Sequence, residues 1–232
     1  MAKVRILSRS PEPFHSRLQA GQLLSQQMSE LKGKKAVVLG IPRGGIVVAQ
    51  GLAYGIEADI DIVLSRKLGA PGHSELAIGA LAETGDLFLN RPLVEDLSVS
   101  DEYIEVEKQR QMAEIQRRNQ LVRRVLPRIP LRGRIAIITD DGVATGATMQ
   151  AAVWAIKHEK PQSLITAVPV ASEEAISRLA NDVDEVVCLR MPDNFMAVGQ
   201  FYREFEQITD EEVIQILRHE QERQKSGSSL PR

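Results

Sequence analysis

Asp140 and Asp141 stand directly after a short apolar run, Ile135 to Ile138, and are followed by Gly142, Val143, Ala144, Thr145, Gly146, Ala147 and Thr148. An unbroken apolar run of that length reads as a strand buried on both faces of a parallel sheet. Carboxylates at its carboxyl end face the ligand crevice of an open α/β sheet, where they can accept hydrogen bonds from sugar hydroxyls or meet a ligand-borne cation. A loop of small and hydroxyl residues running into a helix at Met149 offers backbone N–H groups to a phosphate. Acid pair and anion nest together suit a ligand that carries a diol and a phosphate, such as a ribose 5-phosphate. An ordinary turn with a capping threonine and solvated acids is the competing reading, but it leaves the order of strand, acids, Gly-Thr loop and helix unaccounted for. No G-x-x-x-x-G-K-[ST] pattern is present, which argues against a Walker-type nucleotide hydrolase.

A second segment has the same organisation. Residues 36–53, AVVLGIPRGGIVVAQGLA, run from a buried-strand pattern through a glycine-rich turn into a helical pattern. Gly44 and Gly45 permit close approach of a ligand to the backbone, and Arg43 adds a fixed positive charge. Between the two motifs, residues 60–90 open with a strand-like run and continue into a basic loop containing Arg66, Lys67 and His73. Within it, Ala77 to Ala82 and Leu87 to Leu89 flank Glu83-Thr84-Gly85-Asp86, which predicts a hairpin.

The motif at 135–149 resembles the type I phosphoribosyltransferase family, whose signature for phosphoribosyl pyrophosphate (PRPP) is an apolar strand, two acids and a Thr-Gly loop. The resemblance implies that Asp140 and Asp141 hold the ribose 2′ and 3′ hydroxyls, with Asp141 exposed in the crevice, while the loop from Gly142 and Val143 through Ala144, Thr145, Gly146, Ala147 and Thr148 takes the 5-phosphate. It also implies a pyrophosphate-binding turn at Arg43, Gly44 and Gly45, with a non-proline cis peptide near Pro42 to Gly44. A mobile basic loop then covers the pyrophosphate, with Lys67 the first candidate contact, Arg66 the second and His73 the third. Mg²⁺ is implied as cofactor, carried mainly on PRPP oxygens with no protein ligand directly assigned. In the family a small hood receives the acceptor base, and here Phe201 or Tyr202 is the candidate to stack on it, with a purely structural hydrophobic plug equally open. One departure stands out: purine-specific members often have Asp immediately before the Thr-Gly pair, and this chain has Ala144, so no general base comes from that position.

The implied activity is a glycosyltransferase reaction, transfer of the 5-phosphoribosyl group from PRPP to a nitrogenous acceptor with release of pyrophosphate, as in nucleotide salvage. The alternative is a regulator on the same fold that senses PRPP or a nucleotide without turnover. A PRPP synthetase-like fold ranks last, because no second related domain is visible.

These motifs need a scaffold, and the chain of 232 residues is long enough to bury one α/β core. The expected fold is a doubly wound, mainly parallel, Rossmann-like sheet with a helical insertion and a small C-terminal hood. Strands are predicted near 36–41, 60–65, 135–138, 163–171 and 184–192, with helices near 15–31, 45–54, 100–125, 147–157, 172–181 and from about 209. Residues 1–225 are read as a single domain, its core about 36–192 and its hood about 192–224, with 226–232 as a disordered tail. In the charged helix at 100–125, Tyr103, Ile104, Met112, Ile115 and Val122 are expected to pack, and Ser100 to cap. A formal net charge of −2 gives no global field for nucleic acid or membrane. A single cysteine, Cys188, cannot form an intramolecular disulfide and reads as a buried structural thiol. Without an apolar span or a secretory leader pattern, the expected location is the cytoplasm. The acceptor and the oligomeric state, a homo-oligomer included, stay open.

Overall fold

The computed structural model describes residues 2–226; the tail expected at 226–232 lies outside them apart from Ser226. Its strands are β1 (Lys3–Ser8), β2 (Val37–Gly40), β3 (Asp59–Ile62), β4 (Ser65–Ala70), β5 (His73–Ala82), β6 (Leu87–Leu89), β7 (Ile135–Thr139), β8 (Ser163–Val170) and β9 (Glu185–Arg190). The helices are α1 (Arg17–Gln27), α2 (Gly44–Ile56), α3 (Arg91–Asp96), α4 (Asp101–Val122), α5 (Ala147–Lys157), α6 (Glu173–Leu179) and α7 (Asp210–Ser226).

Six strands form one sheet in the order β1-β9-β8-β7-β2-β3, and every neighbouring pair is parallel. The interior strands are mainly apolar because helices cover both faces, leaving no solvated side for a polar alternation. One face carries α1 and α2, whose Leu24, Ile46, Leu52 and Ile56 pack over Val38, Ile60 and Ile137. The other carries α5 and α6, whose Met149, Val153 and Ile176 cover Val37, Leu39 and Ile138. Helix α7 lies along the β3 edge, where the buried Glu220 carboxylate accepts the Ile60 N–H at 3.2 Å and pairs with Arg223 at 2.7 Å. Among the described residues no helix is long and apolar enough to cross a membrane.

The sequence patterns predict the central strands and their helices closely, and three elements differ. Strand β1 pairs with β9 at the sheet edge, from Lys3 against Glu185 to Ser8 against Arg190. Its exposed side chains and intermixed charges hide it, since an edge strand lacks the apolar signature of a buried one. Helix α3 is also absent from the sequence expectations; Asn90 caps it by accepting the Leu93 N–H. The third difference is the basic segment after β3, expected as a loop, which is an ordered antiparallel hairpin of β4 and β5. The predicted second turn is present, with β6 pairing on β5 to complete a three-stranded sheet.

Helix α4 covers that small sheet. Ile104 and Ile115 join Leu68, Ile78 and Leu81 in a third apolar cluster, with Tyr103 and Met112 packed partly against it, while Val122 reaches the main core. At the helix end, Arg123 pairs with Asp61 of β3 at 2.6 Å and with Glu83 of the hairpin turn at 2.9 Å. Arg128 also pairs with Glu83, at 3.0 Å, and reaches Glu159 beyond α5. This network ties the insertion and the hairpin base to the sheet edge. Cutting it leaves buried carboxylates without a counter-charge, which costs several kcal/mol where a pair is well buried. Arg123→Met should therefore lower unfolding stability by about 3 kcal/mol, or roughly 6–12 °C in Tm. Urea denaturation with an unchanged m value and a midpoint within error of the parent would refute this.

Candidate active site

Strands β2 and β7 pair in parallel with Gly40 opposite Thr139, so the loops leaving their carboxyl ends emerge side by side. One is Ile41 to Gly45, with a cis peptide between Pro42 and Arg43 within the stretch where the family resemblance places it. The other begins with Asp140 and Asp141. The two loops touch: a side chain at Gly45 would put its Cβ 2.8 Å from the Thr139 carbonyl oxygen and 3.0 Å from Asp140 Oδ1, and one at Gly44 would collide with the Asp141 carboxylate. Glycine is required at both positions by this approach of backbone to carboxylate.

Both aspartates are half-buried. Asp140 Oδ1 accepts the Asp141 backbone N–H at 2.8 Å. Burial, and then the neighbouring negative charge of Asp141, hold the Asp140 carboxyl well above the ordinary aspartate range, against the pull of Arg17 and of nearby backbone N–H groups. Asp141 departs from the expectation of an open position in the crevice. Its side chain is only 16% exposed, and its Oδ2 accepts the Nε–H of Arg17 at 2.8 Å.

The phosphate-loop candidates are anchored on one side and open on the other. Val143 N–H donates to the Val170 carbonyl at 2.9 Å, Ser172 N–H donates to the Val143 carbonyl at 3.0 Å, and the Ser172 hydroxyl donates to the Ala144 carbonyl at 2.6 Å. Ala144, Thr145 and Thr148 are exposed, and among the described residues the Ala144 and Thr145 amides have no protein acceptor. Gly146, with φ +79°, turns the chain into α5 at Ala147. Exposed amides at a helix N-terminus form a seat for an anion.

Arg66 and Lys67 lie on β4, outside these two loops. With His73, Tyr103, Glu107, Arg110 and Gln111 they line a cleft of about 440 Å³ that Thr148 also borders. Arg66 Nε donates to Gln111 at 3.0 Å, so α4 holds one candidate pyrophosphate contact. Arg43 and Gly44 line a separate cleft of about 320 Å³ with Arg17, Phe205 and Ile208. Among the described residues no group of three or more His, Cys, Asp or Glu side chains gathers to hold a metal.

The aromatic candidates resolve by burial. Phe201 has no exposed surface and packs on Phe195 with ring centroids 5.1 Å apart, so it is a core plug with no face left for a base. Tyr202 is also buried; its hydroxyl donates to the Asp141 carbonyl at 2.5 Å and its ring lies between Phe14 and Phe205. The exposed ring is Phe205, 40% accessible, stacked on the Arg17 guanidinium at 3.9 Å. Sequence reasoning misses Arg17 because an arginine in the first turn of an amphipathic helix carries no local mark of long-range pairing. Cys188 is a buried thiol donating to the Arg190 carbonyl, its pKa pushed up to about 12 by burial, which fits a structural role.

A phosphoribosyl transferase domain model matches residues 15–206. The chain belongs to the phosphoribosyl transferase family. "Putative phosphoribosyl transferase Rv0571c" of Mycobacterium tuberculosis H37Rv is 43% identical over 204 residues, covering 88% of this chain and 46% of its own length. The same figures hold for "Putative phosphoribosyl transferase MT0597" of strain CDC 1551, so the chain spans about half the length of these curated relatives. The crystal structure of TT1426 from Thermus thermophilus superposes with a TM-score of 0.84 at 43% identity, covering 89% of this chain and 98% of that one. The parallel sheet and its helices are thus those of a solved relative.

The raised Asp140 pKa has a stability consequence in this family member. An ionised carboxylate that folding disfavours weakens the fold above its raised pKa, and the penalty vanishes as pH falls through that pKa and down to the ordinary carboxylate range. Asp140→Asn keeps the acceptor oxygen and removes the charge. It should stabilise the unliganded protein near pH 7.5 by about 1 kcal/mol, or roughly 2–4 °C, with the gain gone near pH 3. Thermal melts showing destabilisation at pH 7.5, or a gain independent of pH, would contradict the assignment.

Proposed function

We propose that this protein transfers the 5-phosphoribosyl group of PRPP to a nitrogenous acceptor and releases pyrophosphate. The observation that carries the reading is the close pairing of the half-buried Asp140–Asp141 unit with exposed loop amides leading into α5. A diol and a phosphate on one ligand satisfy both at once.

In this reading Ala144 to Thr148 receive the 5-phosphate, and the two aspartates accept the ribose hydroxyls. Arg43, Gly44 and Gly45 take the pyrophosphate through a fixed guanidinium and closely approachable backbone. The C1′–O bond breaks with its electron pair leaving on pyrophosphate, the acceptor nitrogen lone pair forms the C1′–N bond, and the acceptor loses its N–H proton. As positive charge grows at C1′, ionised Asp140 and Asp141 stabilise it by being in place beforehand. Ala144 offers no base, so proton loss relies on the acceptor's own acidity or on solvent. Lys67 and Arg66 sit on an ordered hairpin and neutralise the leaving group where the cleft beside Thr148 meets the phosphate loop. A covered site also keeps water from intercepting the cationic sugar.

Magnesium would fit beside this pair, because a cation near Asp140 would offset the burial, and then the like charge of Asp141, that disfavour its ionised form. Brought in with PRPP, with Asp140 and Asp141 as the nearby carboxylates, it would supply charge neutralisation to the departing pyrophosphate. The family's role in nucleotide salvage is the setting we assign.

Pyrophosphate release from PRPP and Mg²⁺ should appear with one member of a panel of purines, pyrimidines and other heterocycles. Tight PRPP binding with no release across the panel would instead mark a sensor. Asp141→Asn should weaken PRPP binding in calorimetry by at least tenfold, since a hydrogen bond to a charged group contributes about 1.5–3 kcal/mol; unchanged affinity removes its role. Lys67→Ala should lower kcat more than it weakens PRPP binding, and kinetics matching the parent would refute a leaving-group contact.

A further inference from the structure

Arg17 occupies a position that no motif describes. It opens α1, and α1 crosses α2 at glycines on both helices: a Cβ at Gly51 would lie 2.9 Å from the Gln22 nitrogen, and one at Gly21 would lie 3.0 Å from the Gly51 Cα. That close crossing lays the first turn of α1 against Gly51, and from there the Arg17 side chain reaches the place where Gly44 and Asp141 meet. The Arg17 side chain is 9% exposed, and its guanidinium makes three contacts. Nε–H donates to Asp141 Oδ2 at 2.8 Å, Nη1 donates to the Glu206 carbonyl at 2.9 Å, and the flat face carries the Phe205 ring at 3.9 Å. Tyr202, stacked on Phe205 and with its ring centroid 5.8 Å from the Arg17 guanidinium carbon, closes the circuit by donating to the Asp141 carbonyl.

We propose that Arg17 is a positioning residue that fixes the Asp141 carboxylate for the ribose diol and couples it to the hood segment around Phe205. The inference rests on the PRPP reading of the site. The geometry divides the labour of the carboxylate: Oδ2 is turned into the Gly44 backbone and Arg17, whereas among the described residues Oδ1 has no protein donor. A sugar hydroxyl therefore meets Oδ1 of a carboxylate already held in one rotamer, without the entropy cost of ordering it on binding. Arginine alone among the side chains provides a planar fork and a stacking face together, which is why lysine is a poor substitute here. The same guanidinium lines the cleft beside Arg43, so occupation of the diol site and order in the hood are linked through one rigid group.

The test compares binding of ribose 5-phosphate with binding of tetrahydrofurfuryl phosphate, which keeps ring and phosphate but lacks the diol. The parent protein should prefer ribose 5-phosphate by about tenfold or more. Arg17→Met should bring the two ligands within about twofold while leaving tetrahydrofurfuryl phosphate affinity unchanged. A merely structural role would weaken both ligands alike, and that result, or an undiminished preference, overturns the proposal. Should circular dichroism show that Arg17→Met does not fold, Arg17→Lys carries the test: its preference should fall at least threefold, and retention of the full preference overturns the proposal. A parent protein that binds neither ligand overturns the PRPP reading itself and this inference with it, whereas parental selectivity retained in the folded variants removes only the role of Arg17.

Discussion

The pairing of β2 with β7 forces two loops into contact at the carboxyl edge of the sheet, and the rest of the site is built around that contact. It brings neighbouring carboxylates against a peptide backbone that must lack side chains. Like charges in a half-buried setting repel, and desolvation adds to the cost. The structure offsets this with a backbone N–H on Asp140, the Arg17 guanidinium on Asp141, and glycines that let main-chain N–H groups come close. An arrangement that folding disfavours and a ligand relieves is typical of functional sites, where stability is given up for preorganisation.

Around this centre lie two separate clefts, and the hairpin-side one borders Thr148. One belongs to the hood side, with Arg17, Arg43 and Phe205. The other belongs to the hairpin and α4, with Arg66, Lys67 and Arg110. The hairpin owes its order to the apolar cluster beneath α4 and to the ion network of Asp61, Arg123, Glu83 and Arg128 at its base. The hairpin is thus built of paired strands where the sequence leads one to expect a loop.

The hood joins residues from near the start and the end of the matched region. Phe14 pairs with Tyr202 in a short parallel bridge, with Phe14 N–H donating to the Phe201 carbonyl at 2.8 Å and Arg203 N–H donating to the Phe14 carbonyl at 2.9 Å. Helix α7 leaves the hood and packs on α2 and the β3 edge, so its buried face serves the core. The exposed Phe205 and the absence of an acidic residue at position 144 are the features in which acceptor choice is to be sought.

Much of this protein is legible in one dimension. Apolar runs mark β2, β7, β8 and β9, because a strand buried on both faces tolerates little else. The acid pair and its Gly-Thr loop are readable for a similar reason: they are contiguous, and their spacing along the chain is their spacing in the loop. Ser100 and Ser172 are readable as caps, since a cap acts within three residues of itself. Arg17 and Asp141 are 124 positions apart, and Phe201, Tyr202 and Phe205 differ in exposure only because the hood turns each ring a different way. Strand β1, exposed at the sheet edge, has no burial pattern to betray it. Local order thus determined the elements and the chemical kind of the site, whereas helix crossing and side-chain burial decided which distant arginine steadies the carboxylate and which aromatic ring stays in reach of a ligand. Contacts of that second kind depend on how elements pack in three dimensions, and no short stretch of chain encodes them.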